Sequence, residues 1–178
     1  MGSRHCFNTI ADTHIARAGK KVQISLENLK STRLERKPIA GEEHRGPQPV
    51  IFFGAGLTYS ELIKVVDGHG LAILNLPSLP HINVVGSMCT ATHGSGHAHQ
   101  IQASMVQDFT MVFADGSIQH FTRGKTPHFE RYLLHFGAVG IITEMSIRLV
   151  QPFKVNKAIY RDLTWDSLAE NYEQIMSG

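Results

Sequence analysis

Between residues 77 and 102 the chain holds little that could fill a core: Gly, Ser, Thr, Ala and His dominate, and glycine recurs at positions 86, 94 and 96. Glycine lets main chain come close to another group, and short hydroxyls supply adaptable donors and acceptors. Such a stretch reads as backbone shaped to meet a ligand. The competing reading is a long surface loop. Against it stand Ile82, Val84, Val85 and Met88, which place apolar residues too regularly for a loop that only meets water. The stretch is not a nucleotide P-loop, because no lysine follows the glycine, and no Gly-x-Gly-x-x-Gly opens a helix after a strand. Nor does Gly94-Ser95-Gly96 form a nucleophile elbow, because His93 stands two before Ser95, where that motif requires glycine.

A second glycine-bearing segment, Gly2-Ser3-Arg4-His5-Cys6, can aim consecutive backbone N–H groups at an anion, with Arg4 adding charge. His93, His97 and His99 have a spacing that a curled segment could close on a metal, and Cys89 is the one soft ligand nearby. Solvated loop histidines and no metal are the expectation. Cys89 is expected to be an inert buried thiol, and Glu42-Glu43 a solvated pair of acids rather than an acid/base couple.

Elsewhere the pattern is conventional. Residues 22–26 alternate as a half-buried strand, and residues 30–48, polar and charged, read as an exposed loop or short insertion. Residues 49–53 form a short apolar run closed by Gly54-Ala55-Gly56, the mark of a buried strand. Thr58 is placed to cap a helix with Leu62, Ile63, Val65 and Val66 facing inward, and Gly68 to Gly70 to stop it. Residues 71–76 are another short apolar segment. Residues 108–114 and 117–122 flank Asp115-Gly116 as a hairpin. A helix over 127–136, a strand over 141–150, a last strand over 156–163 and a helix from Thr164 complete the expectation. Strands outnumber helices and most neighbours can pair antiparallel, so the fold class is α+β.

A chain of 178 residues suits one domain or most of one, and its 42% hydrophobic and 18% charged residues are those of a folded globular protein. A formal charge of +2 gives no footprint for nucleic acid. No apolar run reaches the roughly 18 residues of a membrane span. Two cysteines build no disulfide framework, which favours a reducing, cytoplasmic setting.

Taken in order, these segments resemble the flavin domain of the vanillyl-alcohol-oxidase (PCMH-type) superfamily, alditol and xylitol oxidases first and sugar-lactone oxidases such as D-arabinono-1,4-lactone oxidase next. The resemblance is carried by residues 2–8, by residues 79–87 running into Thr90-Ala91-Thr92-His93-Gly94-Ser95-Gly96, by Ala114-Asp115-Gly116-Ser117, and by residues 136–143. It implies a FAD-binding domain with a mixed or antiparallel sheet and flanking helices, incomplete at its N-terminus, over residues 1–152. Residues 153–178 would begin the segment leading into a substrate domain.

Carried over residue by residue, the resemblance makes Gly2, Ser3, Arg4, His5, Cys6, Gly86, Ser87, Thr92, Gly94, Ser95 and Ile142 cofactor-binding. His5 would be the covalent attachment site, joined through a ring nitrogen to the 8α carbon of the flavin. Cys6 stands where such oxidases more often have serine. Ser87 is expected near the reactive edge of the ring, and Ile142 to offer backbone hydrogen bonds. The implied activity is oxidation of the CH–OH group of a small polyol by hydride transfer to FAD, with oxygen as acceptor. Catalytic residues are expected in the absent substrate domain, so this chain alone is expected to be inactive. A sugar lactone as substrate, a non-catalytic remnant of a flavin domain, and a histidine-rich metal binder are the other readings.

Overall fold

The computed structural model describes Ser3, His5, Cys6 and residues 23–177; Gly2, Arg4 and Val22 of the expectations above lie outside the described residues. Five strands form one antiparallel sheet in the order β1-β2-β5-β3-β4: β1 Thr32–Lys37, β2 Gln48–Gly54, β3 Val106–Val112, β4 Ile118–Thr122 and β5 Ile141–Arg148. The α+β class and an antiparallel sheet with helices are as the sequence predicts.

β2 is apolar without alternation because both of its faces are covered. Ile51 and Phe53 enter the main core, while Val50 and Phe52 pack with Ile39 on the other side. β1 corrects the expectation of a loop over residues 30–48. It pairs with β2 along six residues, from Thr32 opposite Phe53 to Lys37 opposite Gln48. Its charges hid it from any hydrophobic pattern. On an edge strand those charges repel further pairing, and hydrogen bonds to β2 are enough to hold the strand. Arg33 also lays its guanidinium 4.3 Å from the centre of the Phe52 ring.

The described part of the expected first strand, residues 23–26, is not a strand. The chain turns instead, with the Leu29 N–H donating to the Leu26 carbonyl at 2.9 Å, and crosses Gly54 and Gly56 closely. A Cβ on Gly54 would stand 2.3 Å from the Leu29 carbonyl oxygen. Gly54→Ala is therefore expected to cost about 1–3 kcal/mol, read as a lower urea midpoint, because backbone rather than a flexible side chain must move.

α1, Tyr59–Gly68, starts as expected: the Thr58 N–H donates to Glu61 Oε2 at 2.9 Å, one half of a capping box. Tyr59, Leu62 and Val66 are its buried residues; Ile63 and Val65 are half-buried. β3 and β4 join through a turn in which the Gly116 N–H donates to the Phe113 carbonyl at 3.0 Å, with Gly116 at φ +82°. Phe109 stacks on Phe121 at 4.6 Å across that hairpin. The helix expected over 127–136 shrinks to a 3-10 turn, Phe129–Tyr132. His128 and Phe136, both left-handed, bound it, and Phe129 and Leu133 still reach the core.

The strand expected over 156–163 does not form. Val155, Ile159, Tyr160 and Leu163 are exposed, so the segment has no core to bury its apolar side chains against. The final helix exists in two pieces, α3 Trp165–Glu170 and α4 Tyr172–Ser177, parted at Asn171. Thr164 caps the first, accepting from the Ser167 N–H at 3.2 Å. Among the described residues no helix is long and apolar enough to cross a membrane.

Candidate cofactor site

The small-residue stretch is built outward from a five-residue helix, α2 Val84–Met88. Val84, Val85 and Met88 anchor it in the core, leaving Gly86 exposed on its outer side. Asn83 fixes its start twice over. Its Oδ1 accepts from the Gly86 N–H at 2.8 Å, while its Nδ2 donates to the carbonyls of Ala55 at 2.8 Å and Leu57 at 3.1 Å. The helix is thereby hung from the turn between β2 and α1, and the Val84 N–H, donating to the Leu57 carbonyl at 3.0 Å, adds to the hold.

Past the helix the chain doubles back. Ala91 is left-handed at φ +56°, which lets the Thr92 N–H return to the Ser87 carbonyl at 3.2 Å. Ten residues later the Gln102 N–H donates to the Thr92 carbonyl at 2.9 Å, so the two ends of the loop over 93–101 lie side by side. Gly94 is packed from below: a Cβ there would meet Asn75 Oδ1 at 2.6 Å, and Asn75 Nδ2 donates to the Gln100 carbonyl at 2.9 Å. Among the described residues, the amides of His93, Gly94, Ser95 and Gly96 donate to no protein acceptor. Four consecutive free N–H groups on a loop tied at its base are the donor set that a phosphate or pyrophosphate takes.

The described residues of the first loop meet the chain just ahead of α2. Ser3 Oγ donates to the His81 carbonyl at 2.9 Å, and the ring centres of His5 and His81 are 4.5 Å apart, with Nε2 2.5 Å from Nε2. His81 lies three residues before α2, so residues separated by about eighty positions come together at the start of the second loop. Ser3, His5 and Cys6 are all exposed.

A third segment is stitched on from the other side. The Gly137 N–H donates to His135 Nδ1 at 3.0 Å, which leaves the ring proton on Nε2, 3.6 Å from Cys89 Sγ. The Phe136 N–H reaches the Cys89 carbonyl at 3.3 Å. Burial pushes the Cys89 thiol up to about 12 and lowers His135, so the pair is a neutral thiol and a neutral imidazole rather than a nucleophile and its base. This contact sets the path into β5, where Ile142 pairs with Met111 and buries its side chain in the core.

Of the expected binding residues, Gly86, Ser95 and the half-buried Thr92 and Gly94 share the loop's face, whereas the Ser87 hydroxyl is turned inward. It lies 2.8 Å from Tyr59 Oη and donates to the Val84 carbonyl at 2.7 Å. No three His, Cys, Asp or Glu side chains gather as a metal site among the described residues, those of His93, His97 and His99 included. Glu42 is held ionised, its carboxyl lowered by bonds to Arg45 and Arg148, and Glu43 is lowered by backbone N–H groups; neither is an acid/base group. His81, Asn83, Asn75 and Gln102 were not foreseen. Asn83, three before a glycine that opens a helix, carried a legible capping signal; the others depend on long-range packing.

Two surface clefts, of about 410 and 310 Å³, lie elsewhere, along β1, β2 and the end of β5; no residue of either glycine-rich loop lines them. On the second loop, His93, Ser95 and Gly96 are exposed to solvent.

No family profile matches the chain. It is 39% identical over 110 residues to an alditol oxidase of a Streptomyces species, a match covering 62% of this chain and 26% of that one. It is 28% identical over 135 residues to a D-arabinono-1,4-lactone oxidase of Eremothecium gossypii, covering 75% and 25%. Among solved structures it resembles cholesterol oxidase from B. sterolicum, with TM-score 0.59 and 18% identity over 71% of this chain and 24% of that one. A VAO-type flavoprotein from Myceliophthora thermophila gives TM-score 0.58 and 22% identity, covering 71% and 23%. The chain thus spans about a quarter of the length of the curated relatives it matches. The chain shares its fold with these two oxidoreductase structures, and in sequence it is similar to alditol and sugar-lactone oxidases over about a quarter of their length.

Proposed function

We propose that this chain is the FAD-binding portion of an oxidoreductase that oxidises the CH–OH group of a polyol, with oxygen as electron acceptor. The observation that carries the reading is the row of free amides from His93 to Gly96, in the small-residue stretch whose beginning receives Ser3 and His5 at His81. That row would hold the pyrophosphate, with Ser95 adding a hydroxyl and Gly86 permitting close approach. Ser87 would contribute through its main chain, since its hydroxyl is engaged below. Ile142 would offer backbone from β5, and Gly2, Arg4 and Cys6 would complete the first loop around His5. Bound there, FAD supplies the hydride acceptance, and the protein supplies its binding and orientation.

Residues 1–152 form the cofactor part in this reading, and residues 153–178 begin the passage to a substrate domain. The exposure of Phe153, Val155, Ile159, Tyr160 and Trp165 supports that division, because these side chains find no cover in the sheet domain. The polyol-holding and proton-accepting groups would belong to that further domain. A lactone in place of a polyol is the second reading, favoured by the likeness to D-arabinono-1,4-lactone oxidase. Both cysteines are free, Cys6 exposed and Cys89 buried, which supports a cytoplasmic setting.

Titration of FAD into the purified chain tests the binding claim. Saturable quenching of flavin fluorescence is expected, together with no peroxide from xylitol or sorbitol. Flavin that passes through a sizing column unretained would contradict the cofactor reading, and peroxide production would contradict the assignment of substrate groups to another domain.

A further inference from the structure

Beneath the second loop lie three oxygen–oxygen contacts that share too few protons. Tyr59 Oη touches Gln102 Oε1, lies 2.8 Å from Ser87 Oγ, and Ser87 Oγ lies 2.7 Å from the Val84 carbonyl oxygen. Each contact requires one hydrogen. Tyr59 and Ser87 bring one each, and neither carbonyl brings any. At the same time Gln102 Nε2, with two hydrogens, is buried without a partner, on a residue that is 0% exposed. Oxygen and nitrogen of a carboxamide are assigned by the network around them. Turning this one by half a revolution satisfies all three contacts. What is then left over is one N–H and a carbonyl oxygen in place of two N–H groups, and a carbonyl oxygen is a group that folded proteins leave under-satisfied more readily than an N–H.

We propose that Gln102 is a positioning residue for the cofactor loop: its side-chain amide donates to Tyr59, Tyr59 to Ser87, and Ser87 to the Val84 carbonyl. The proposal rests on the reading that this loop takes the dinucleotide. The one-way chain explains why the loop keeps its shape with few apolar contacts of its own. Ser87 is the residue to which Thr92 returns, and Gln102 is the residue that closes the loop onto Thr92. Tyr59, at the first turn of α1 and fully buried, joins the two. Burial raises the Tyr59 phenol above its ordinary value, so it stays a donor throughout the working pH range. The trio thus forms the floor under the free amides of residues 93–96 and fixes both ends of the segment that presents them.

The test has two arms. In the ¹⁵N-labelled chain without flavin, the Gln102 side-chain amide is identified by its disappearance in Gln102→Glu. It should exchange slowly with water and show a nuclear Overhauser contact to the Tyr59 ring. Rapid exchange, or amide hydrogens turned away from Tyr59, would overturn the proposal whether or not FAD binds. In the second arm, Tyr59→Phe should weaken FAD binding about tenfold, the effect of one net buried hydrogen bond. Gln102→Glu should be as weak at pH 8 and recover as the pH falls, because a protonated carboxyl restores the missing donor and burial raises the pH at which it forms. A wild type that binds FAD beside variants of unchanged affinity, or a Gln102→Glu affinity flat with pH, would remove the positioning role. A wild type that fails to bind FAD would instead sink the cofactor reading and leave the first arm standing.

Discussion

His5→Ala should convert flavin that survives acid precipitation of the protein into flavin released wholly to the supernatant. Neutral imidazole is a good nucleophile, and the electron-poor flavin ring activates its own 8α methyl group. Loss of a methyl proton, attack by the ring nitrogen and loss of the imidazole N–H proton would leave a two-electron-reduced flavin, which oxygen, the proposed acceptor, reoxidises. Placement supports the assignment. The His5 ring is exposed, held against His81, with Ser3 anchoring the same loop to the His81 carbonyl. Cys89, the other side chain whose chemistry suggests a link, is buried and its thiol is raised to about 12. The covalent fraction should therefore fall from near complete to none, while FAD still binds reversibly through the amides of the second loop. Flavin that remained attached in His5→Ala, seen as an unchanged mass of the denatured protein, would reassign the link to another residue.

The largest expected effect on stability belongs to Asp108→Ala, a loss of about 3 kcal/mol, because it strips the partner from a buried cluster. Asp108 is 2% exposed and ties four strands together. It accepts from Lys37 Nζ of β1 at 2.7 and 2.6 Å, from Thr122 Oγ1 of β4 at 3.0 Å and from Ser146 Oγ of β5 at 2.7 Å. Lys37 retains contact with water, which keeps the cost at the low end for a broken buried pair. Burial alone would raise the Asp108 carboxyl; the bonds from Lys37 and Ser146 outweigh it and the net direction is down. A carboxyl lowered in the folded state stabilises above its unfolded value, about 3.9, and loses that contribution as pH falls through the lowered one. Wild type should thus lose stability in acid more steeply than Asp108→Asn, measured by urea unfolding across pH 2 to 6. Parallel acid profiles for the two proteins would show that the cluster is held by packing and not by charge.

The sequence made the inner strands plain: residues 49–53 because burial on both faces writes itself as hydrophobicity, and residues 141–150 through their alternation. The β3–β4 hairpin was equally legible, since Asp115-Gly116 dictates a turn through a left-handed glycine. β1 was not. Arg33, Glu35, Arg36 and Lys37 spell an exposed loop, and only the neighbouring β2 makes them a strand. The opposite error fell on residues 156–163, where β-forming side chains such as Ile159 and Tyr160 suggested a strand that does not form. At the candidate site the glycines and hydroxyls of residues 86–96 were visible because composition alone marks them. Of the residues that shape the loop, Asn83 carried a local capping signal, but Tyr59, Asn75 and Gln102 act across separations of 25 to 43 positions, and nothing local distinguishes them from ordinary polar side chains.

The strand order β1-β2-β5-β3-β4 bears on how the chain is made as well as on what it holds. β5, the middle of the sheet, is the last of its five strands to leave the ribosome. Until Arg148 has emerged, the β1–β2 pair and the β3–β4 pair are two separate hairpins, each with an apolar edge and no shared floor. Closure then joins residues 90 to 98 positions apart, from Gly54 with Glu144 to Val50 with Arg148, a pairing whose loop-closure cost slows folding. A nascent chain halted before β5 exposes both edges at once, and these are the surfaces that a chaperone or a neighbouring nascent chain would seize.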